Sequence, residues 1–200
     1  IRVGKTLPSV EPGQPHQLYY IGPTFYGNTS NILVVDYEPP GCFRVIDPEV
    51  EEVNRLLPPA LKDVAKYSNQ SVILFEKRNQ LPGPLFGSEP PHNWCYYFGQ
   101  AELARQMGEW EKVAHLGDIA FALDDYPNDP FERFVFIEGY ANVGDWKKAV
   151  ELSTTSYKIS KAYVGPSLCR LWGRIERETQ STPEQAAALV EVRSKFECSP

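Results

Sequence analysis

The sequence predicts an α+β unit over residues 1–76, followed over residues 92–200 by an all-α array of about six helices that pair as hairpins. Two patterns lead to this division. The first part alternates short β-like runs with prolines, whereas apolar residues from His92 onward recur at helical spacing. Residues 77–91 are rich in proline and are expected to link the two parts without regular structure.

Four segments of the N-terminal unit are expected to be strands, because each is rich in β-branched and aromatic side chains and ends at turn-forming residues. They cover residues 17–21, 31–37, 42–46 and 71–75. The sequence Glu-Pro-Pro-Gly at 38–41 is expected to turn the chain between the second and third strands, since proline fixes φ and glycine permits a positive φ.

One broken helix is expected between the third and fourth strands. Asp47 suits the N-cap and Pro48 the first helical position, and glutamates follow at positions 49, 51 and 52, where the helix dipole favours anions. The prolines at 58 and 59 are expected to interrupt this helix, which resumes over residues 60–67.

An internal repeat supports the helical prediction for the second half. Gly108 and Trp110 match Gly144 and Trp146 at a spacing of 36 residues (144 − 108), with an acidic residue inside each pair. The glycine allows a tight reversal, the tryptophan fills the space between two helices, and a small apolar residue three positions later permits close crossing. Each copy is therefore expected to be the turn of a helical hairpin.

A third hairpin is expected at the C-terminus. Residues 166–179 place apolar side chains on one helical face, and the sequence Ser-Thr-Pro-Glu at 181–184 is typical of a helix start with proline at the first position. This hairpin lacks the Gly-x-Trp turn, which suits a terminal pair that caps the array.

The four cysteines are Cys42, Cys95, Cys169 and Cys198. Their even number fits two disulfides, with three possible pairings, and equally fits four reduced thiols. A hairpin that turns near residue 182 places Cys169 within about one helical turn of Cys198, so a bridge between them is expected. Cys42 and Cys95 would then join the N-terminal unit to the first helix of the array. The cysteine spacings contain no CxxC pair, so a zinc or redox motif is not expected.

Charge and hydropathy restrict the partners. The formal net charge is −6 and the sequence has no run of lysine and arginine, which argues against a nucleic-acid partner. The sequence contains no stretch of about 18 apolar residues, so no membrane-spanning helix is expected in it. The start at Ile1 suggests a fragment or a processed chain, so contact with a membrane is expected only through segments upstream of it.

No catalytic, cofactor-binding or metal site is expected. The three histidines do not lie at metal-ligand spacing, and the common nucleotide-binding, hydrolase and zinc-protease motifs do not occur. The carboxylates Asp124, Asp125 and Glu132 are candidates for general acid–base catalysis, but they fall at helix ends, where acidic turn and cap residues are common.

The repeat resembles the tetratricopeptide repeat over roughly residues 94–160. It departs from that pattern in its spacing, and in Gly117 and Ser153, which stand where the second helix usually carries a large aromatic residue. The resemblance implies a scaffold that binds a protein or peptide. It also implies a concave ligand face, for which Tyr97, Arg133 and Tyr140 are the candidate residues.

A second resemblance spans nearly the whole chain. The segments 39–48 (PPGCFRVIDP), 94–97 (WCYY) and 136–141 (FIEGYA) are similar to the extracytoplasmic C-terminal region of large multi-pass bacterial membrane proteins of unassigned function. Some of those proteins look like lipid-linked glycosyltransferases in their membrane part. The resemblance implies an oxidising compartment and leaves any catalytic residues in membrane segments outside this chain.

Three functional hypotheses follow. The leading one is a non-catalytic protein- or peptide-interaction module at the extracytoplasmic face of a bacterial membrane. The second is a regulatory or substrate-positioning domain of a membrane glycosyltransferase. The third is a cytoplasmic tetratricopeptide scaffold, which requires that all four cysteines stay reduced.

Overall fold

The computed structural model describes residues 11–19, 21–74, 85, 87 and 91–198. Its N-terminal part contains two small antiparallel sheets. Strand β1 (Pro15–Tyr19) pairs with β2 (Thr24–Asn28), and β3 (Val35–Asp36) pairs with β4 (Arg44–Val45). Two short helices follow, α1 (Pro48–Glu51) and α2 (Pro59–Ala65), and single 3-10 turns lie at Thr29–Asn31 and Gln70–Val72.

The strand predictions are confirmed in part. Strands β1, β3 and β4 fall on three predicted segments, although β3 and β4 have only two residues each. The fourth predicted strand is wrong over its described residues, because Asn69 accepts hydrogen bonds from the backbone N and the hydroxyl of Ser71 and closes a 3-10 turn there. Phe75 lies outside the described residues. Strand β2 was missed, although a Gly-Pro turn precedes it.

Helix α1 begins as expected and ends early. Asp47 caps it by accepting a hydrogen bond from the Glu49 backbone N at 3.1 Å. The helix stops at Glu51 instead of reaching Leu57, because Asn54 accepts a bond from the Leu56 backbone N and turns the chain.

Six helices form the second half, as the sequence predicts. They are α3 (Trp94–Gln106), α4 (Trp110–Ala120), α5 (Phe134–Asn142), α6 (Trp146–Ile159), α7 (Lys161–Glu178) and α8 (Pro183–Phe196). A 3-10 turn, Pro130–Arg133, leads into α5. Helix α7 begins five residues before the expected start at Pro166, which lies inside the helix and leaves one backbone carbonyl without its N–H partner.

The helices stack as consecutive hairpins. Helix α3 packs against α4 and α5, α5 packs against α6 and α7, and α6 packs against α7 and α8. The core between them holds large side chains with almost no exposure: Trp94, Phe136, Ile137, Tyr140, Leu168, Leu171 and Ile175. A separate small cluster, Val34, Ile46, Leu57 and Ala65, holds the N-terminal part. The surface that α3, α5 and α7 form together is called the α3–α5–α7 face below.

The two copies of the repeat have the same backbone turn. Gly108 and Gly144 have φ angles of +68° and +84°, which glycine adopts without steric cost. The residue after each glycine donates a backbone hydrogen bond to the preceding helix, over 3.0 Å to Ala104 and 2.8 Å to Tyr140. Trp110 and Trp146 begin the second helices and pack, half-buried, against the core.

Small residues replace the expected aromatics where the next hairpin supplies a large one. A Cβ on Gly117 would lie 2.6 Å from the Tyr140 hydroxyl and 2.9 Å from a Phe136 ring carbon. Ser153 is fully buried, and its hydroxyl accepts a hydrogen bond from the Trp172 indole N–H at 3.0 Å. The spacing of these two small residues, 36 (153 − 117), is the repeat spacing.

The expected disulfide pairs are both present. The Sγ atoms of Cys42 and Cys95 are joined, and so are those of Cys169 and Cys198. The first bridge attaches the N-terminal part to α3, and the second attaches the end of α8 to α7. Such bridges indicate an oxidising, extracytoplasmic environment.

Alkylation tests the bridges directly. Under denaturing conditions without reductant, we expect no mass increase, and after reduction we expect four alkyl groups per chain. Replacing Cys169 and Cys198 by alanine should lower the free energy of unfolding by roughly 3–4 kcal/mol, because the unfolded chain regains the freedom of a 29-residue loop. Four alkyl groups added before reduction would contradict the pairing.

Gly117 provides a test of the helix packing. Gly117→Ala should destabilise the fold by about 1–3 kcal/mol, since the new methyl group displaces Tyr140 and Phe136. The matched control is Gly99→Ala in α3, where a Cβ meets no atom within 4 Å. This control should be neutral or stabilising by up to about 1 kcal/mol, because alanine is the better helix former. Equal urea midpoints for the two variants would contradict the packing described.

Candidate functional site

The α3–α5–α7 face is covered by the N-terminal part of the chain. Helix α1 packs against α7, and Cys42 and Val50 are buried in the same core as the helical array. The division into domains at residues 77–91 stays a prediction, since that segment lies mostly outside the described residues. The face on which a repeat scaffold would be expected to bind its ligand is therefore occupied within the chain itself.

A cluster of charged side chains, buried except for the exposed Glu49, holds this contact. Arg174 of α7 donates a hydrogen bond from Nη2 to Glu138 of α5 at 3.0 Å and another from Nη1 to the Asp47 carboxylate at 2.6 Å. Arg105 of α3 lies 3.4 Å from the same Asp47 oxygen and 3.9 Å from Glu138. Glu49 extends the cluster to Arg174 at 3.4 Å. These five side chains, Asp47, Glu49, Arg105, Glu138 and Arg174, are called the arginine junction.

The pKa values of Asp47 and Glu138 in the junction are shifted in opposite directions. Burial opposes the ionisation of Asp47, but the positive charges of Arg174 and Arg105 outweigh it and hold the pKa of Asp47 below its ordinary value. Burial raises the pKa of Glu138 in spite of the same two arginines. The cavity at the junction has about 30 Å³, which admits little more than a water molecule. The junction is thus a closed structural contact.

Two further buried groups fix the N-terminal part. Arg44 contacts Glu51 at 2.8 Å and Asp36 at 3.0 Å, and it also lies 3.6 Å from Asp129, which caps the 3-10 turn before α5. Carboxylates of the N-terminal part and of the helical array thereby share the guanidinium group of Arg44. The contact joins strand β4 to the helical array.

Glu132 is fully buried, and its carboxylate accepts three hydrogen bonds. They come from the Cys42 backbone N at 2.8 Å, the Trp94 indole N–H at 2.7 Å and the Asn128 backbone N at 3.1 Å. Burial raises the pKa of Glu132. Asp125 likewise accepts a bond from the Trp94 backbone N at 2.9 Å. Two of the carboxylates considered for catalysis are thus engaged in holding the backbone, while Asp124 is exposed.

The three residues predicted to line a groove have different surroundings. Tyr140 is buried, and its hydroxyl donates a hydrogen bond to Asp118 at 2.8 Å. Burial raises the pKa of Tyr140, and the hydrogen bond to Asp118 raises it further. Tyr97 packs edge-on against the Tyr96 ring. Arg133 is half-buried, and burial lowers its pKa. A common groove for Tyr97, Arg133 and Tyr140 stays a prediction.

Two open depressions on the described surface are large enough to consider as binding sites. One is a cleft of about 400 Å³ between the N-terminal part and the segment before α5. It is lined mainly by prolines and polar side chains, among them Asp36, Glu38, Pro39, Pro40, Asn128 and Asp129. Arg44 also lines this cleft, and its guanidinium group already contacts Asp36 and Asp129.

The other is a groove of about 550 Å³ between the N-terminal halves of α6 and α8. Its floor is apolar and consists of Trp146, Val150, Ala187 and Ala188. Its rim is mostly acidic and consists of Asp145, Glu151, Glu184 and Glu191, with one cation, Lys147. This depression is called the α6–α8 groove.

Comparisons of the chain with protein-family models, with curated proteins and with solved structures find no match. In the described part of the chain, no helix is both long and apolar enough to cross a membrane. Among the same residues, no three histidine, cysteine, aspartate or glutamate side chains are grouped so that they would hold a metal ion. The function is therefore inferred from the shape and charge of the described surfaces.

Sequence reasoning did not identify the arginine junction. A signal for it exists in α5, where Glu138 stands alone within the run Phe-Val-Phe-Ile-Glu-Gly-Tyr-Ala. A carboxylate in a fully buried helix needs a charged partner. Which arginines supply the partner depends on how α3 and α7 pack, and spacing along the chain does not contain that information.

Asp47→Asn tests the junction. Asparagine caps a helix as well as aspartate does, so the substitution removes the charge and keeps the cap of α1. At pH 7 the free energy of unfolding should fall by on the order of 3 kcal/mol, because Arg174 and Arg105 lose a buried counter-ion. The measurement is urea denaturation of both proteins at pH 7 and at about pH 3.

The stability difference between the wild type and Asp47→Asn should depend on pH. Because the pKa of Asp47 in the folded state lies below its ordinary value of 3.8 in an unfolded chain, its contribution to stability is complete above that pH and is lost as the pH falls through the folded-state pKa. The gap between wild type and variant should therefore narrow toward pH 3. Asp145→Asn, which changes an exposed cap of α6, should have almost no effect at either pH. A gap that does not change with pH would show that Asp47 acts by shape alone.

Proposed function

We propose that the chain is a non-catalytic interaction module of the tetratricopeptide type, which binds a short basic helix of a partner protein in the α6–α8 groove. The observation that carries the proposal is this groove, with its apolar floor and acidic rim, on a stack of helical hairpins whose α3–α5–α7 face is already covered. A scaffold of this kind binds through the surface that it leaves open.

The dimensions of the groove suit a helical segment. It extends over residues 144–151 and 184–191, which corresponds to about two helical turns, or roughly 10 Å, along each wall. Two of the four floor residues, Val150 and Ala188, are themselves nearly buried, so a partner needs only a few apolar side chains at i, i+3 and i+4 spacing to fill the groove.

The charge of the rim selects a basic partner. Four carboxylates surround the floor, and Lys147 is the one cation among the lining residues. Lys195, outside the lining, pairs with Glu191 at 2.7 Å on the surface. Lys147 lies 4.0 Å from Glu151 and is 87 % exposed, so its ion pair is weak and can be exchanged for a partner's cation. A lysine or arginine on the flank of the bound helix would gain a carboxylate, whereas an acidic flank would be repelled.

The two disulfides favour an oxidising compartment and weigh against a cytoplasmic scaffold. We place the module at the extracytoplasmic face of a bacterial membrane, a location that the resemblance of three sequence segments supports. Its role as a regulatory or substrate-positioning domain of a membrane glycosyltransferase stays a second hypothesis, which the same resemblance suggests.

Peptide binding by the full chain tests the proposal. The probe is a labelled amphipathic helix of leucine and lysine, and its counterpart has glutamate in place of lysine. Fluorescence anisotropy should show saturable binding of the basic peptide and none of the acidic one. The double variant Glu184→Lys/Glu191→Lys should raise the Kd at least about tenfold, since two attractive contacts become repulsive.

A second double variant separates site binding from general attraction to an acidic protein. Glu52→Lys/Glu111→Lys makes the same change in net charge at exposed positions outside the groove. It should leave the Kd within about twofold of the wild-type value. Equal weakening by both double variants, or equal binding of both peptides, would exclude the groove as the site.

A further inference from the structure

The large apolar side chains described in the β1–β2 hairpin are all exposed. Ile21, at the turn, is 90 % exposed, Tyr19 and Tyr26 are each 73 % exposed, Phe25 is 61 % exposed and Leu18 is 49 % exposed. An isolated two-stranded hairpin is at best marginally stable in water. A contiguous exposed apolar patch of this kind marks an interaction surface.

Both faces of the hairpin are apolar. Leu18 pairs directly with Phe25, and Tyr26 pairs with Gln17 in the same ladder. Because successive residues of a strand point to opposite faces, Leu18 and Phe25 lie on one face, and Tyr19 and Tyr26 lie on the other. Ile21 extends beyond both at the tip. A partner protein that docks on one face would leave the other one in water.

The hairpin lies in a stretch without charge. Residues 12–35 contain no aspartate, glutamate, lysine or arginine, although 23 % of the chain is charged, so that these 24 residues would be expected to carry five or six. The titratable side chains within residues 12–35 are His16 and the tyrosines. The uncharged stretch ends at Asp36, in β3, where the chain enters the buried contacts of Arg44.

We propose that the β1–β2 hairpin inserts into the interfacial region of a neutral, zwitterionic lipid surface. A lipid interface surrounds an inserted element on all sides, so it covers both apolar faces and the tip at once. Tyrosine is favoured at this depth, because its ring is apolar and its hydroxyl stays hydrated. The outer edges of the two strands leave N–H and C=O groups without partners in the ladder, which limits insertion to the interface and excludes the hydrocarbon core.

Charge decides the kind of lipid. The chain carries a formal net charge of −6, so an anionic surface repels it, and the hairpin has no lysine or arginine to bind lipid phosphates. Its affinity must therefore come from apolar burial, which salt does not screen. The inference does not rest on the α6–α8 groove, and it assigns the N-terminal part a role that the helical array does not share.

Flotation of the full chain with phosphatidylcholine vesicles tests the inference. The wild-type protein should float with the vesicles to the same extent in low salt and in about 1 M salt. Vesicles with added phosphatidylserine should bind less of it. The double variant Ile21→Ser/Phe25→Ser should bind at least about tenfold less, because two exposed apolar side chains no longer leave water.

The control removes two other exposed apolar side chains, which lie in the helical array. Ile159 of α6 and Val190 of α8 are 54 % and 69 % exposed, and Ile159→Ser/Val190→Ser should float like the wild type. Circular dichroism of both double variants should match that of the wild type, since none of the four side chains is buried.

A spectroscopic readout reports the depth of the tip. In the variant Ile21→Trp, added vesicles should shift the tryptophan emission to the blue, and brominated phosphatidylcholine should quench it. The wild-type tryptophans, which all lie in the helical array, should not respond. No flotation, flotation that salt abolishes, stronger binding to phosphatidylserine, or equal loss in both double variants would each overturn the proposal, and binding of the hairpin to a protein alone would do so too.

Discussion

The contact between Asp47 and the two arginines of the α3–α5–α7 face is the interaction on which the arrangement of this protein depends. An ion buried without a counter-ion costs several kcal/mol, so Arg174 and Glu138 are tolerated in the interior only because their charges are balanced there. That requirement positions α1, which in turn brings Cys42 beside Cys95 and the Cys42 backbone N to Glu132. Apolar burial alone would not fix the orientation of so small an N-terminal part on the helices.

The same contact determines which surfaces remain available. With the α3–α5–α7 face covered, the open surfaces described are the cleft beside Arg44, the α6–α8 groove and the β1–β2 hairpin. They differ in character. The cleft is polar, and its arginine, Arg44, is already paired with Asp36 and Asp129. The groove combines an apolar floor with an acidic rim, and the hairpin is apolar and uncharged. The groove and the hairpin thus suit partners of different chemistry, a basic helix and a neutral lipid surface.

Close packing explains why the repeat keeps its spacing while its side chains change. Where α4 holds Gly117, α5 fills the space with Tyr140 and Phe136, and where α6 holds Ser153, the indole of Trp172 occupies the corresponding volume. In both places a small residue on one helix faces a large residue on the next helix, so the space between the helices is filled. The positive φ of Gly108 and Gly144 is a backbone requirement, which no exchange of volume between helices can meet. Those glycines therefore recur at the same position.

The sequence by itself determined the elements whose signals are local. The turns at Gly108 and Gly144, the cap at Asp47, the six helices and the Cys169–Cys198 pair follow from residues within one or two elements of each other, where propensity, capping and hairpin geometry decide. Only the tertiary structure decided the short length of the strands, the start of α7 before Pro166, and the arginine junction. The junction joins residues as distant in the chain as Asp47 and Arg174, and the free energy of such a buried contact exceeds any local preference.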